Sequence, residues 1–144
     1  MKKDLGALFA GIRHLQHIHM HPKLRALGVY RGQPPILMTL GSKDGLSQAE
    51  LAEEVYLQPP TITKIIGKLE RNMFIYRQPD ETDQRINRVY LTQKGISVVE
   101  KLRRLFAEEE RVLFGVFTKE EKQELAEYLQ RITMRYQELI EKGQ

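Results

Sequence analysis

A mainly helical fold with one small β-hairpin is predicted for this chain of 144 residues. Apolar residues recur at spacings of three and four over most of its length, the period of a helix that buries one face. The stretch LSQAELAEEVYLQPPTITKIIGKLE, residues 46–70, sets two adjacent prolines between two such segments. Two short β-rich runs, residues 74–77 and 88–91, then flank a polar segment made of turn-forming residues.

Leu5, Leu8, Phe9, Ile12 and Leu15 mark an amphipathic helix over residues 4–21, ending before Pro22. A second helix is expected over residues 34–40, stopping at Gly41, with Lys43-Asp44-Gly45 as a turn. Ser47-Gln48-Ala49-Glu50 fits a capping box, and Leu46 and Leu51 hold the positions of a hydrophobic staple, so a short helix begins at residue 48 and ends near 55. Proline in a helix interior costs about 3 kcal/mol. As the first helical residue it costs nothing, because its missing N–H has no intrahelical partner there and its fixed φ suits the helix. Pro59 therefore opens the next helix and Pro60 lies in its first turn. Helix, short turn, helix is a helix-turn-helix. After the hairpin, Thr92 caps a long helix to about residue 115. Thr118-Lys119-Glu120-Glu121 is a second capping box, opening a helix to about residue 142 whose apolar face is Leu125, Leu129, Ile132, Tyr136, Leu139 and Ile140.

Composition narrows the function. At 41% hydrophobic and 29% charged residues the chain has the make-up of an ordinary folded protein. No apolar run approaches the roughly 18 residues of a membrane span, and Arg13 and His14 interrupt the N-terminal segment too early for a signal peptide, so the expected compartment is the cytoplasm. The absence of cysteine excludes disulfides, thiolate catalysis and thiol redox sensing. No HExxH, Gly-rich phosphate loop or nucleophile motif appears, so neither an enzyme nor a cofactor is expected.

Net charge is +4, and residues 56–95 hold most of it: seven Lys/Arg against four Asp/Glu, a local +3. A basic excess suits a polyanion. On the helix from Pro59, Ile62, Ile65, Ile66 and Leu69 form the packing stripe. Pro60, Lys64, Gly67 and Arg71 fall opposite, flanked by Thr61, Thr63 and Lys68, with no acid on that face. Double-stranded DNA is the expected partner. Lys64, Lys68, Arg71 and Arg88 are the candidate phosphate contacts, with Arg77 among the cations of the DNA-facing set. Thr61, Thr63, Lys64 and Gln58 are the candidate base readers, and Arg85 suits a narrow A·T-rich minor groove.

A helix-turn-helix followed by a hairpin is a winged helix. With helices at both ends, the motifs LSQAELAEEVYLQPPTITKIIGKLE, RQPDETDQR and YLTQKG make the chain similar to MarR-family transcription regulators over nearly its whole length. The resemblance implies a homodimer, with residues 1–32 and 96–144 as dimerisation helices and residues 33–95 as the DNA-binding lobe. It implies a repressor on an inverted-repeat operator, released by a small aromatic or lipophilic effector. It also implies that Arg85 of Asp83-Gln84-Arg85 enters the minor groove while Asp83 orients it. The chain departs from the family pattern at Gln84, where an arginine is common, and at Tyr56 and Met73, where glycine is common.

The four histidines all fall in HLQHIHMH, residues 14–21. His14, His17 and His21 share one side of the first helix and are candidate ligands for zinc, nickel or copper, whereas His19 turns toward the apolar side. The plainer expectation is a polar helix face, or the lining of an effector cleft bordered by His17, His21, Tyr30, Arg31 and Met38. A constitutive DNA binder, a metal-responsive regulator and a winged-helix module for protein–protein assembly are the alternative functions. The assembly module would show an acidic or apolar recognition face, which this sequence lacks.

Overall fold

The computed structural model describes residues 4–143. Its elements are α1 (Leu5–Ala26), α2 (Gln33–Ser42), β1 (Leu46–Ser47), α3 (Gln48–Glu54), α4 (Pro59–Arg71), β2 (Ile75–Pro79), β3 (Asn87–Leu91), α5 (Gln93–Phe114) and α6 (Lys119–Glu141). Contacts divide the chain into two compact units, the first ending at Arg104 and the second beginning at Leu105. Among the described residues no helix is long and apolar enough to cross a membrane.

Both capping boxes form. Ser47 Oγ accepts from the Glu50 amide at 3.1 Å while Glu50 Oε2 accepts from the Ser47 amide at 3.2 Å. At α6, Thr118 Oγ1 accepts from the Glu121 amide at 3.2 Å and Glu121 Oε1 from the Thr118 amide at 2.9 Å. Two amides lacking an intrahelical partner are thereby satisfied at each start. Pro59 is the first residue of α4.

Three boundaries differ from the sequence expectation. First, α1 does not stop before Pro22 but runs through it to Ala26. Pro22 and Ile18, the residue whose carbonyl loses its donor, are both exposed, and the following Lys23, Leu24, Arg25 and Ala26 favour helix. Second, Gly41 lies inside α2 instead of ending it. A Cβ there would come within 2.7 Å of Val99 Cγ1, so the glycine is explained by the close approach of α5. Third, Leu46–Ser47 pairs antiparallel with β3, Leu46 opposite Val89 and Ser47 opposite Arg88. The sheet therefore has three strands in the order β1-β3-β2, the hairpin being closed by Ile75 opposite Leu91 through Pro79 opposite Asn87.

The core belongs to the first unit. Ile36, Leu37 and Leu40 of α2, Leu51 of α3, Ile62, Ile66 and Leu69 of α4, Ile75 and Val89 of the sheet and Val99 and Leu102 of α5 are all buried. Gly95, on α5, allows that helix to start against the hairpin: a Cβ would sit 2.0 Å from the Phe74 carbonyl oxygen. Among its described residues α6 buries none, and Leu129, Ile132, Tyr136 and Ile140 are exposed. The apolar stripe of α1 is also exposed, with Leu5, Leu8, Ile12 and Leu15 each more than half accessible.

Candidate nucleic-acid interface

Burial orients α4. Ile62, Ile66 and Leu69 anchor one side, and Pro60, Thr61, Thr63, Lys64, Lys68 and Arg71 are exposed on the other, with Gly67 half-buried between them. A Cβ at Gly67 would meet no atom within 4 Å, so nothing in the chain itself demands glycine there. Gln58 caps the helix by backbone geometry alone, and its amide makes no capping bond. Thr63 is held in place: its hydroxyl donates to the Pro59 carbonyl at 2.9 Å and lies 2.6 Å from Gln48 Nε2. Gln48 thus brings the start of α3 onto the exposed face of α4. In the sequence Gln48 stands only as part of a cap, because its partner is fifteen positions away and no local period signals it.

The wing is organised by Asp80. One of its carboxylate oxygens accepts from the Thr82 amide at 3.0 Å, the Thr82 hydroxyl at 2.7 Å and the Asp83 amide at 3.0 Å, closing the turn. The other accepts from Arg88 Nε at 2.5 Å, and Arg88 Nη1 also donates to the Gly45 carbonyl at 3.0 Å. The Arg88 guanidinium, followed by the Thr82 hydroxyl and the turn amides, holds the Asp80 carboxyl well below the usual carboxylate range. Arg88 therefore ties the turn before β1, the wing turn and β3 together. Arg77 is likewise engaged, donating to both carboxylate oxygens of Glu70 at 3.1 and 2.8 Å and so joining β2 to the end of α4. Both arginines were grouped by sequence with the DNA-facing cations, and both spend their guanidinium on a carboxylate within the chain.

Asp83 and Arg85 stand apart. Arg85 donates from Nε and Nη2 to the two Asp83 oxygens, each at 3.0 Å, and from its amide to Asp83 Oδ1 at 3.1 Å. The Arg85 side chain nonetheless remains 91% exposed. A planar guanidinium is thus held at the wing tip with its outer edge free for an acceptor. The same pairing lowers the Asp83 pKa and raises that of Arg85.

Tyr56 and Met73 adopt positive φ, 54° and 64°. The left-handed turns that glycine commonly supplies are present with bulkier residues in them, at a cost of roughly 1–2 kcal/mol each.

Of the residues expected around an effector cleft, Tyr30 and Arg31 line a groove of about 460 Å³ together with Gln33, Pro60, Thr61, Lys64, Ile65 and Lys68. His17, His21 and Met38 are not among its walls. His14, His17 and His21 do not converge as three ligands. Among the described residues no group of three His, Asp or Glu side chains could hold a metal ion. The cause is helical rise: seven residues span about 10 Å, too far for one ion to reach both ends.

Comparison with known proteins identifies this arrangement. A model of the MarR family matches residues 30–86. The HTH-type transcriptional regulator BilQ of Clostridium symbiosum is 32% identical over 110 residues, covering 76% of both chains. The chain belongs to the MarR family. The uncharacterized HTH-type transcriptional regulator YybA of Bacillus subtilis is 28% identical over 144 residues, 98% of this chain and 93% of its own. Among solved structures, that of the S. aureus MepR–DNA complex superposes with a TM-score of 0.85 at 28% identity, covering 94% of this chain and 99% of MepR. As a MarR-family protein the chain is a DNA-binding transcriptional regulator and not an enzyme.

Proposed function

We propose that two copies of this chain bind an inverted-repeat operator and repress transcription there, and that a small aromatic or lipophilic molecule releases the DNA. The observation that carries the reading is the paired display on one chain: an acid-free, cation-bearing face of α4 and an exposed Arg85 fixed by Asp83. Lys64, Lys68 and Arg71 take phosphates, Thr61, Thr63, Lys64 and Gln58 read base edges, and Arg85 enters the minor groove. Arg77 and Arg88 act indirectly, by holding the wing against α4 and β1.

Dimerisation is supported by the apolar stripes of α1 and α6, which a lone chain leaves in water. In this reading residues 1–32 and 96–144 join the two copies and residues 33–95 form each DNA-binding lobe. A two-fold dimer presents its recognition helices about 34–36 Å apart, so operator symmetry mirrors protein symmetry. The effector reading is supported by the groove beside α4. An anionic aromatic molecule there would stack on Tyr30, pair with Arg31, and occupy Lys64 and Lys68, two of the cations that take phosphate.

Selection of bound sites from random duplex DNA tests the proposal. The expected product is a two-fold motif with half-sites about one helical turn apart. An asymmetric motif, or no enrichment, would overturn it. Titration of the DNA complex with a panel of phenolic and lipophilic acids tests release, and unchanged affinity across the panel would leave a constitutive binder.

A further inference from the structure

We infer that His17 and His21 together form a two-imidazole site for one divalent ion of the nickel, copper and zinc class. The site is separate from the DNA-binding face and from the groove at Tyr30. Its basis is a contact between two of the three histidines that the sequence offers as ligands, without the third: the two rings lie on successive turns of α1 with their centroids 5.2 Å apart and their planes tilted by 33°.

That separation fits a shared ion. A metal–nitrogen bond of about 2.1 Å, added to the ring's own radius, puts a bound ion about 3.2 Å from an imidazole centroid. Two imidazoles meeting at a tetrahedral angle then have centroids about 5.2 Å apart. The sequence spacing agrees, since histidines at i and i+4 on a helix are the pair that zinc proteases use to seat their metal. His17 is exposed and His21 half-buried, so the ion can enter from solvent without unfolding the helix. Two neutral nitrogen donors select borderline ions over calcium or magnesium, which take oxygen ligands. Remaining positions are left to water, because no third His, Asp or Glu joins the pair among the described residues.

The neighbouring histidines define the controls. His19 Nε2 lies 3.1 Å from Lys23 Nζ, a cation that opposes an ion at that nitrogen. His14 lies about 10 Å of helical rise from His21, too far for the two to share one ion.

Isothermal titration of the full chain, free of any polyhistidine tag, with zinc, nickel and copper chlorides in a non-coordinating buffer tests the site. One ion is expected per chain. His17→Ala and His21→Ala should each weaken binding at least tenfold, while His14→Ala and His19→Ala stay within threefold of the parent. Circular dichroism verifies the fold of each variant, and His17→Gln replaces His17→Ala if the latter is unfolded. Absence of saturable binding to the parent, retention of affinity in both the His17 and His21 variants, or loss of affinity in His14→Ala would overturn the inference.

Discussion

Arg85→Ala isolates the wing's contribution to DNA binding. The side chain is 91% exposed and its carboxylate partner lies only two positions away, so no core contact is lost with it. Thermal stability should therefore match the parent. DNA binding should not. A dimer carries two wings, and each lost cation releases one fewer counterion, with a slope of about 0.9 per contact in log K against log salt. The variant's slope is then shallower than the parent's by about 1.8. Over a fourfold change in salt, from 50 to 200 mM, that difference corresponds to about a twelvefold change in relative affinity. Fluorescence anisotropy with a labelled operator across this range should show Arg85→Ala at least tenfold weaker at 50 mM, with the gap narrowing by about twelvefold at 200 mM. Asp83→Asn, which keeps the arginine and removes the charge that positions it, should lie between variant and parent. Coincident affinities and slopes for Arg85→Ala and the parent would refute a wing contact with DNA.

Three further outcomes follow from local geometry. Gly67→Ala fills open space on α4 and should raise unfolding stability by about 1 kcal/mol through helix propensity, measured by urea denaturation, while weakening operator affinity because the new methyl projects from the DNA-facing side. Gly95→Ala places a Cβ against the Phe74 carbonyl oxygen and should destabilise the first unit by about 3 kcal/mol or prevent folding; a melting curve like the parent's would contradict the packing of α5 on the hairpin. Acid should loosen the wing. The Asp80 carboxyl is depressed below its ordinary value of 3.8, so its contribution is complete above that pH and is lost as pH falls toward the native-state value. Amide exchange at Thr82 and Asp83 should accelerate, relative to core amides and after correction for the intrinsic pH dependence, only below that ordinary value.

Features set by neighbouring residues were legible in the sequence. Ser47 with Glu50 and Thr118 with Glu121 announced two helix starts, because a cap needs only four consecutive residues. Pro59 was readable as a first helical residue, since the same physics that forbids it in the interior admits it at the end. The Asp83–Arg85 pair was legible only through the resemblance to the family's Asp-x-Arg wing; the structure forms it between residues two positions apart. Features set by distant partners were not. Leu46–Ser47 is a strand only because β3 lies beside it, and two residues carry no period. Gly41 looked like a helix end because the α5 residues that crowd it, Val99 and Arg103, lie far along the chain. Arg77 and Arg88 could be read as cations, but their partners Glu70 and Asp80 are fixed by the hairpin register. Sequence alone showed the charges of all four residues but not which cation pairs with which acid.

Regulation in this form requires two chains to share one stretch of duplex. Sedimentation of the protein with a selected operator, followed at separate wavelengths for protein and DNA, measures that stoichiometry. The expected complex carries a protein mass of twice 16.9 kDa on each duplex and splits into free components without forming a one-chain intermediate as salt rises. A saturated complex holding a single chain per duplex would contradict it.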